Sequence, residues 1–336
     1  MSTRIQAAFA CTALMMTLLS APPAEAGRPT CFGRSATIVG TEGRDRLQGT
    51  EGRDVIHGMG GRDSISGLGG DDFICGGTNN LRTDRGAPKE WLFGGAGDDR
   101  LDGGPGDDVL SGDEGADRMY GGKGGDHLGG GDDDDWMNGQ LGWDTVTGDL
   151  GNDTAKGARG RDTLLDCEGD DTGYAGPGDD FIHPGVGNDT LFGGKGNDVM
   201  TPDLGDDQAA GGRGNDMVAF DSSWDCGASG SAEGAVVVDL AEGTASGQGT
   251  DVIRGFEKVR GSWDNDTISG DWGPNFLWGS PGNDTLEGRG GSDRLRGADG
   301  DDTLDGGSGN NDNDGGPGTD TCRRPSSAGG AESCEA

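Results

Sequence analysis

Fourteen aspartates recur at an interval of nine residues without a slip: Asp99, Asp108, Asp117, Asp126, Asp135, Asp144, Asp153, Asp162, Asp171, Asp180, Asp189, Asp198, Asp207 and Asp216. A carboxylate is a hard anionic oxygen donor, the kind that calcium gathers six to eight at a time. Two residues before each aspartate stands a glycine, from Gly97 to Gly214, with Asp133 as the exception. Two residues after it the side chain is usually apolar, as at Leu101, Leu110, Met119, Leu128, Met137, Val146, Leu164, Ile182, Leu191, Met200 and Val218. The unit reads Gly-Gly-x-Gly-x-Asp-x-U-x with U apolar, spelled out in GGAGDDRLD (94–102) and GGPGDDVLS (103–111). Glycines at its first, second and fourth positions permit left-handed backbone, so that carbonyls can turn toward a common point. The x-U-x tail is a three-residue strand whose middle side chain points inward and whose neighbours point out.

This nonapeptide resembles the calcium-binding repeat of RTX proteins, and the resemblance implies an all-β fold, a parallel β-roll or β-helix solenoid. In that family two nonapeptides make one coil, and each calcium sits between the turns of successive coils. Ligands on one side are then eighteen residues apart, Asp99 with Asp117 and Asp108 with Asp126. The central run holds twelve such pairs, an upper limit on its calcium count. The metal ligands so implied are the fourteen aspartates above, Asp45, Asp54, Asp63 and Asp72 before them, and Asp284, Asp293, Asp302 and Asp320 after them. Backbone carbonyls of Gly94, Gly97, Gly103, Gly106, Gly121, Gly124, Gly193, Gly196, Gly211 and Gly214 complete the set. The turns touching Asp133, and the glycine-poor repeats around Asp171 and Asp207, depart from the pattern.

With 74 glycines, 61 acidic and 26 basic side chains among 336 residues, a net charge of −35 and 30% hydrophobic residues, the composition alone predicts disorder without calcium. The strict period predicts order once the ion is bound. Glycine follows a period of nine and not three, which excludes collagen, and the acidic balance excludes nucleic acid as a partner. Residues 1–26 read as a secretory signal peptide: Arg4, an apolar stretch from Ala7 to Leu19, then Ala24-Glu25-Ala26 before Gly27. That stretch is too short to span a bilayer securely and no second one follows, so no stable membrane insertion is expected. Outside cells, millimolar calcium suits weak sites.

Six cysteines lie beyond the leader, an even count that suits disulfides in an exported chain. The preferred pairs are Cys31–Cys75 and Cys322–Cys334, with Cys167–Cys226 by elimination. Neither a Cys-x-x-Cys nor paired histidines offer a zinc site.

The chain divides into the leader (1–26), an N-terminal repeat block (27–77), a loop insertion (78–93), a central roll (94–218), a non-repeat strand insert (219–263), a C-terminal repeat block (264–321) and a tail tied by a disulfide (322–336). Asp72 and Asp99 are 27 residues apart, three periods, so register is kept although the motif decays and TNNLRTDRGAPKEWL bulges out. Across 219–263 register breaks, and AVVVDL (235–240) and TDVIRGFEKV (250–259) are strand-like by their β-branched residues. Asn275 and Asn311 keep an oxygen at the aspartate position but lose its charge.

No catalytic constellation is legible. His57, His127 and His183 occupy strand positions without a sequence neighbour for a triad or metal pair, and His-Glu-x-x-His is absent. Asn310-x-Asp312-x-Asp314-Gly315 opens like an EF-hand, but its twelfth position is Thr321. Threonines eighteen apart (Thr267, Thr285, Thr303, Thr321; Thr154, Thr172, Thr190; Thr145, Thr163) should form outward ladders, which β-propensity explains better than ice binding. The expected function is a secreted calcium-binding roll with a structural or interaction role, not an enzyme. An accessory module of a secreted enzyme, or an adhesin for cell, glycan or ice surfaces, is the alternative; the protein or glycan partner stays open.

Overall fold

The structure, a computed structural model, describes residues 27–77, 89–221, 234–323 and 332–333. The leader reading, the loop at 78–88, and Cys226 and Cys334 lie outside them. No helix occurs among the described residues. The chain winds as a solenoid of short, mostly parallel strands forming two sheets, so the parallel β-roll is the observed fold.

Eighteen residues make one coil. Arg118, Met119 and Tyr120 pair in parallel with Arg100, Leu101 and Asp102 in one sheet, and Val109, Leu110 and Ser111 pair with His127, Leu128 and Gly129 in the other. The strict nine-residue period thus alternates between sheets, and every second repeat stacks at the roughly 4.8 Å strand spacing. U side chains point inward from both sheets and form a single continuous core from Ile56 to Leu304, with Leu101, Met119 and Leu164 among its fully buried members. Burying each large apolar side chain contributes about 1.5–3 kcal/mol, and a coil supplies only two. The threonine ladders are in register, Thr154 with Thr172 with Thr190 and Thr267 through Thr285 and Thr303 to Thr321.

The N-terminal end is closed by an antiparallel pair, Thr30–Cys31 with Arg34–Ser35, held to the roll by the Cys31–Cys75 disulfide (Cα–Cα 5.7 Å). Cys167 and Cys322 are also disulfide-bonded. After Cys75 the next coil takes nine extra residues: Phe73 stacks on Arg100 and Ser64 on Trp91, each 27 residues on instead of eighteen. The strand Trp91–Ala96 therefore already belongs to the roll, with Leu92 in the core.

The 219–263 segment also joins the solenoid. Thr250–Arg254 stacks on Gln208–Arg213, and Lys258–Arg260 on Met217–Ala219. In between, Val237–Asp239 and Thr244–Ser246 add an antiparallel turn back, and Val237–Asp239 then pairs in parallel with Thr267–Ser269. A bidentate Arg289–Asp239 pair ties this excursion to the following block and holds the Asp239 carboxyl below the usual range.

Candidate metal centres

Each aspartate of the period sits at the start of its strand, just before x-U-x, and the two oxygens of its carboxylate have different fates. Oδ1 is a staple between coils: Asp99 N–H donates to Asp117 Oδ1 at 2.7 Å, Asp117 N–H to Asp135 Oδ1 at 2.7 Å, and the pattern repeats through all fourteen residues of the central run. Oδ2 is buried with no hydrogen-bond partner throughout those fourteen, and likewise at Asp63, Asp72, Asp284, Asp293, Asp302 and Asp320. An uncompensated buried carboxylate oxygen is costly, and here the cost repeats at every rung of two parallel rows.

The glycines explain where these oxygens point. An added Cβ on first-position Gly94 would lie 2.3 Å from Asp99 Oδ2 and 2.7 Å from the Gly112 carbonyl of the next coil. The same arrangement surrounds Gly103 with Asp108, Gly121 with Asp126, Gly193 with Asp198 and Gly211 with Asp216. At the fourth position, with φ +150°, a Cβ on Gly142 would stand 1.4 Å from the Gly124 carbonyl one coil earlier. Gly106, Gly196 and Gly214 belong to the same stacked column, and Gly97 to the matching column on the other side, between Gly70 and Gly115. Carboxylate oxygen and turned-in carbonyls thus converge where no side chain fits, an all-oxygen donor set that suits calcium.

The electrostatics point the same way. Burial pushes the carboxyls up, opposed by the N–H bond to Oδ1 and reinforced by neighbouring aspartates: Asp117, Asp126 and Asp189 to about 8, Asp99, Asp135 and Asp171 to about 7. A multivalent cation reverses that balance by favouring the charged forms.

Five rungs are closed differently, one of them by Asn311 itself, whose Nδ2 donates to the Gly306 carbonyl at 2.6 Å. Thr41 donates its N–H and hydroxyl to Asp45 Oδ2, and Thr50 does the same for Asp54. Ser262 closes Asp266 and the Asp271 N–H closes Asn275. In the other four, a residue with a polar side chain stands four positions before the ligand position, at the second glycine. Elsewhere that position is left-handed even without glycine, as at Met59, Leu68, Asp113, Gln140 and Ala158.

Three acidic residues are not marked by the nine-residue motif. Glu90 occupies the row between Asp63 and Asp108, and its N–H donates to Asp108 Oδ1. Its spacing of eighteen before Asp108 was the available signal. Asp251 and Glu257 accept from Asp207 and Asp216 and carry the rows through the insert, with Asp251 Oδ2 buried and unpartnered. Where the residue before a ligand is an aspartate or asparagine, it often bonds the backbone one coil on. Asp107 Oδ1 accepts from Gly125 N–H, and Asn152, Asp170 and Asn188 form an exposed ladder of the same kind. His183 is buried with Thr201 Oγ1 at 2.9 Å and Asp203 at 3.8 Å, partners that sequence separation had hidden; the trio fills the glycine-poor turns, away from solvent.

No curated protein matches the chain. The family model described as the RTX calcium-binding nonapeptide repeat matches residues 39–74, overlapping stretches from 93 to 218, and 260–322, about two thirds of the sequence. With that match joined to the coil geometry and its rows of inward oxygens, the chain belongs to the family of RTX calcium-binding nonapeptide repeat proteins.

Proposed function

We propose that the protein is a secreted β-roll that folds on binding several calcium ions and serves as a structural or interaction module, not an enzyme. The observation that supports this reading is the double row of buried Oδ2 atoms without partners. Asp63, Asp72, the fourteen central aspartates and Asp284, Asp293, Asp302 and Asp320 would hold the ions, with the first- and fourth-position glycine carbonyls. Asp45 and Asp54, already closed by threonines, would contribute least. The bound ion supplies charge compensation and cross-links successive coils. Since the unfolded chain holds no such sites, binding energy becomes folding energy.

The test is a calcium titration of the secreted chain followed by circular dichroism and hydrodynamic radius. Chelator should leave a largely expanded chain, and millimolar calcium a compact β-rich one, with several ions per chain by calorimetry. A chain fully β-folded in chelator, taking up no calcium, would sink the reading.

One observation favours an adhesin-like variant. On the outer face Tyr120 and Trp136 lie 5.1 Å apart, the Lys156 ammonium sits 5.3 and 5.2 Å over Trp136 and Tyr174, and Tyr174 stacks on Phe192 at 5.0 Å. Such a stripe suits sugar rings. Retardation of the folded protein by immobilised polysaccharide, lost in Trp136→Ala, would support it, and equal mobility would remove it.

A further inference from the structure

One rung differs from all the others in the chemistry it offers. Among the described residues, Asp153, Asp166 and Asp171 are the one group of three carboxylates whose oxygens all lie within 4.8 Å of one another, and all three residues are buried. Asp153 and Asp171 belong to the nine-residue period; Asp166 does not. It stands five residues before Asp171, where the repeat places its first glycine.

The neighbouring coil shows what the substitution does. At an ordinary rung, a Cβ on Gly130 would meet Asp135 Oδ2 at 2.2 Å and the Gly148 backbone carbonyl at 2.6 Å. At Gly148 it would instead meet Asp166 Oδ2 at 2.1 Å and Asp153 Oδ2 at 2.3 Å. A carboxylate oxygen has taken the place of the carbonyl and points into the same cradle. Asp166 Oδ1 accepts from the Cys167 N–H at 2.8 Å, which fixes the direction of the group, and Cys167 is itself anchored by a disulfide. Asp153 and Asp171 are 2% and 4% exposed, and the Oδ2 of each is without a hydrogen-bond partner. Beside them Gly173 replaces the apolar core residue, and a cavity of about 10 Å³ bordered by Asp166 and Asp171 has room for one water.

We propose that Asp153, Asp166 and Asp171 form a cation site distinct from the repeating ones, a three-carboxylate clamp that fills before the other rungs and takes trivalent ions best. The proposal rests on the calcium reading above. Affinity of oxygen sites is tuned by the number of charged ligands and the rigidity of their support, and both are raised here. Three carboxylates leave a net −1 around a divalent ion and none around a trivalent one, so a lanthanide should outcompete calcium at this rung more strongly than elsewhere.

The test compares the full secreted chain with Asp166→Gly, which restores the repeat's own residue, and with Asp166→Asn, which keeps the size. Calcium chloride is titrated by calorimetry, and terbium chloride by its luminescence. The wild type should show one ion bound at least tenfold more tightly than the rest, with terbium displacing it first. Both variants should lose the tight class, Asp166→Gly binding at this rung no more tightly than at the rest, while keeping the later uptake and the β content. Variants that titrate like the wild type overturn the proposal while leaving the calcium reading intact. So does tighter binding in Asp166→Gly, since the Asp166 carboxyl would then be filling the cradle in place of an ion. A wild type that takes up no calcium overturns both readings. Should either variant fail to fold, the wild-type curve decides: a first ion standing apart from the others supports the clamp, and a single class of sites removes it.

Discussion

One carboxylate does two jobs in each repeat, and substitutions can separate them. Asp117→Asn keeps an oxygen to accept from the Asp99 N–H but loses the charge, whereas Asp117→Ala loses both. At fixed calcium, Ala should be less stable than Asn by about 1–3 kcal/mol, the cost of leaving the buried Asp99 N–H without an acceptor. Equal urea midpoints would show that the staple contributes nothing. The second-position residues allow an opposite test. Gln140 is held at φ 76°, where an L side chain is strained. Gln140→Gly should therefore stabilise the protein by about 0.5–1 kcal/mol, although glycine usually weakens a strand; a lower melting temperature would contradict this. The period picks out each aspartate by position. It could not assign separate roles to Oδ1 and Oδ2, because that division depends on the coil eighteen residues away.

At the scale of elements, strands were legible because x-U-x has the alternation that a two-sided sheet requires. The threonine ladders followed from the same arithmetic, Thr154 over Thr172 over Thr190. Two ligands of the rows were missed for different reasons. Glu90 keeps the nine-residue register, but a glutamate stands there with Pro88 in place of the motif's glycine; Asp251 is out of register, stacking 44 residues from Asp207. The glycine-poor turns hid more, since Asp166 and the His183–Asp203 contact occur only where the motif lapses. Each coil touches only its neighbours, so damage should stay local. Leu110→Ala, in the centre of the core, should cost about 2–5 kcal/mol. Hydrogen exchange should quicken in the coils beside it and stay unchanged beyond Phe276. A uniform rise along the whole roll would contradict nearest-neighbour stacking.

For the whole molecule, the raised carboxyls set the pH dependence in chelator. Unfolded aspartates titrate near pH 4, while those of the roll are pushed up to about 6 at Asp144 and Asp162 and about 8 at Asp117 and Asp126. The native state then holds more protons than the unfolded one, so the stabilisation is fully present below about pH 4 and is lost as pH rises through 6 to 8. Without calcium, β content should therefore be greater at pH 5 than at pH 8. With calcium the order reverses, because protons compete for the same oxygens; β content that grew with pH in chelator would refute the assignment. The rungs closed within the protein carry a further consequence. Four of the five stand at Asp45 and Asp54, where the first block opens, and at Asp266 and Asn275, where the last one does. A rung that needs no ion can hold its shape while the others wait, so the first and last blocks each have a ready-made seed on their N-terminal side. Assembly should then zip from N to C, the direction in which the chain would meet calcium if it is exported as proposed above. Pulsed hydrogen exchange during calcium-triggered folding should find amides around Thr50 and Ser262 protected ahead of those around Asp207 and Asp320.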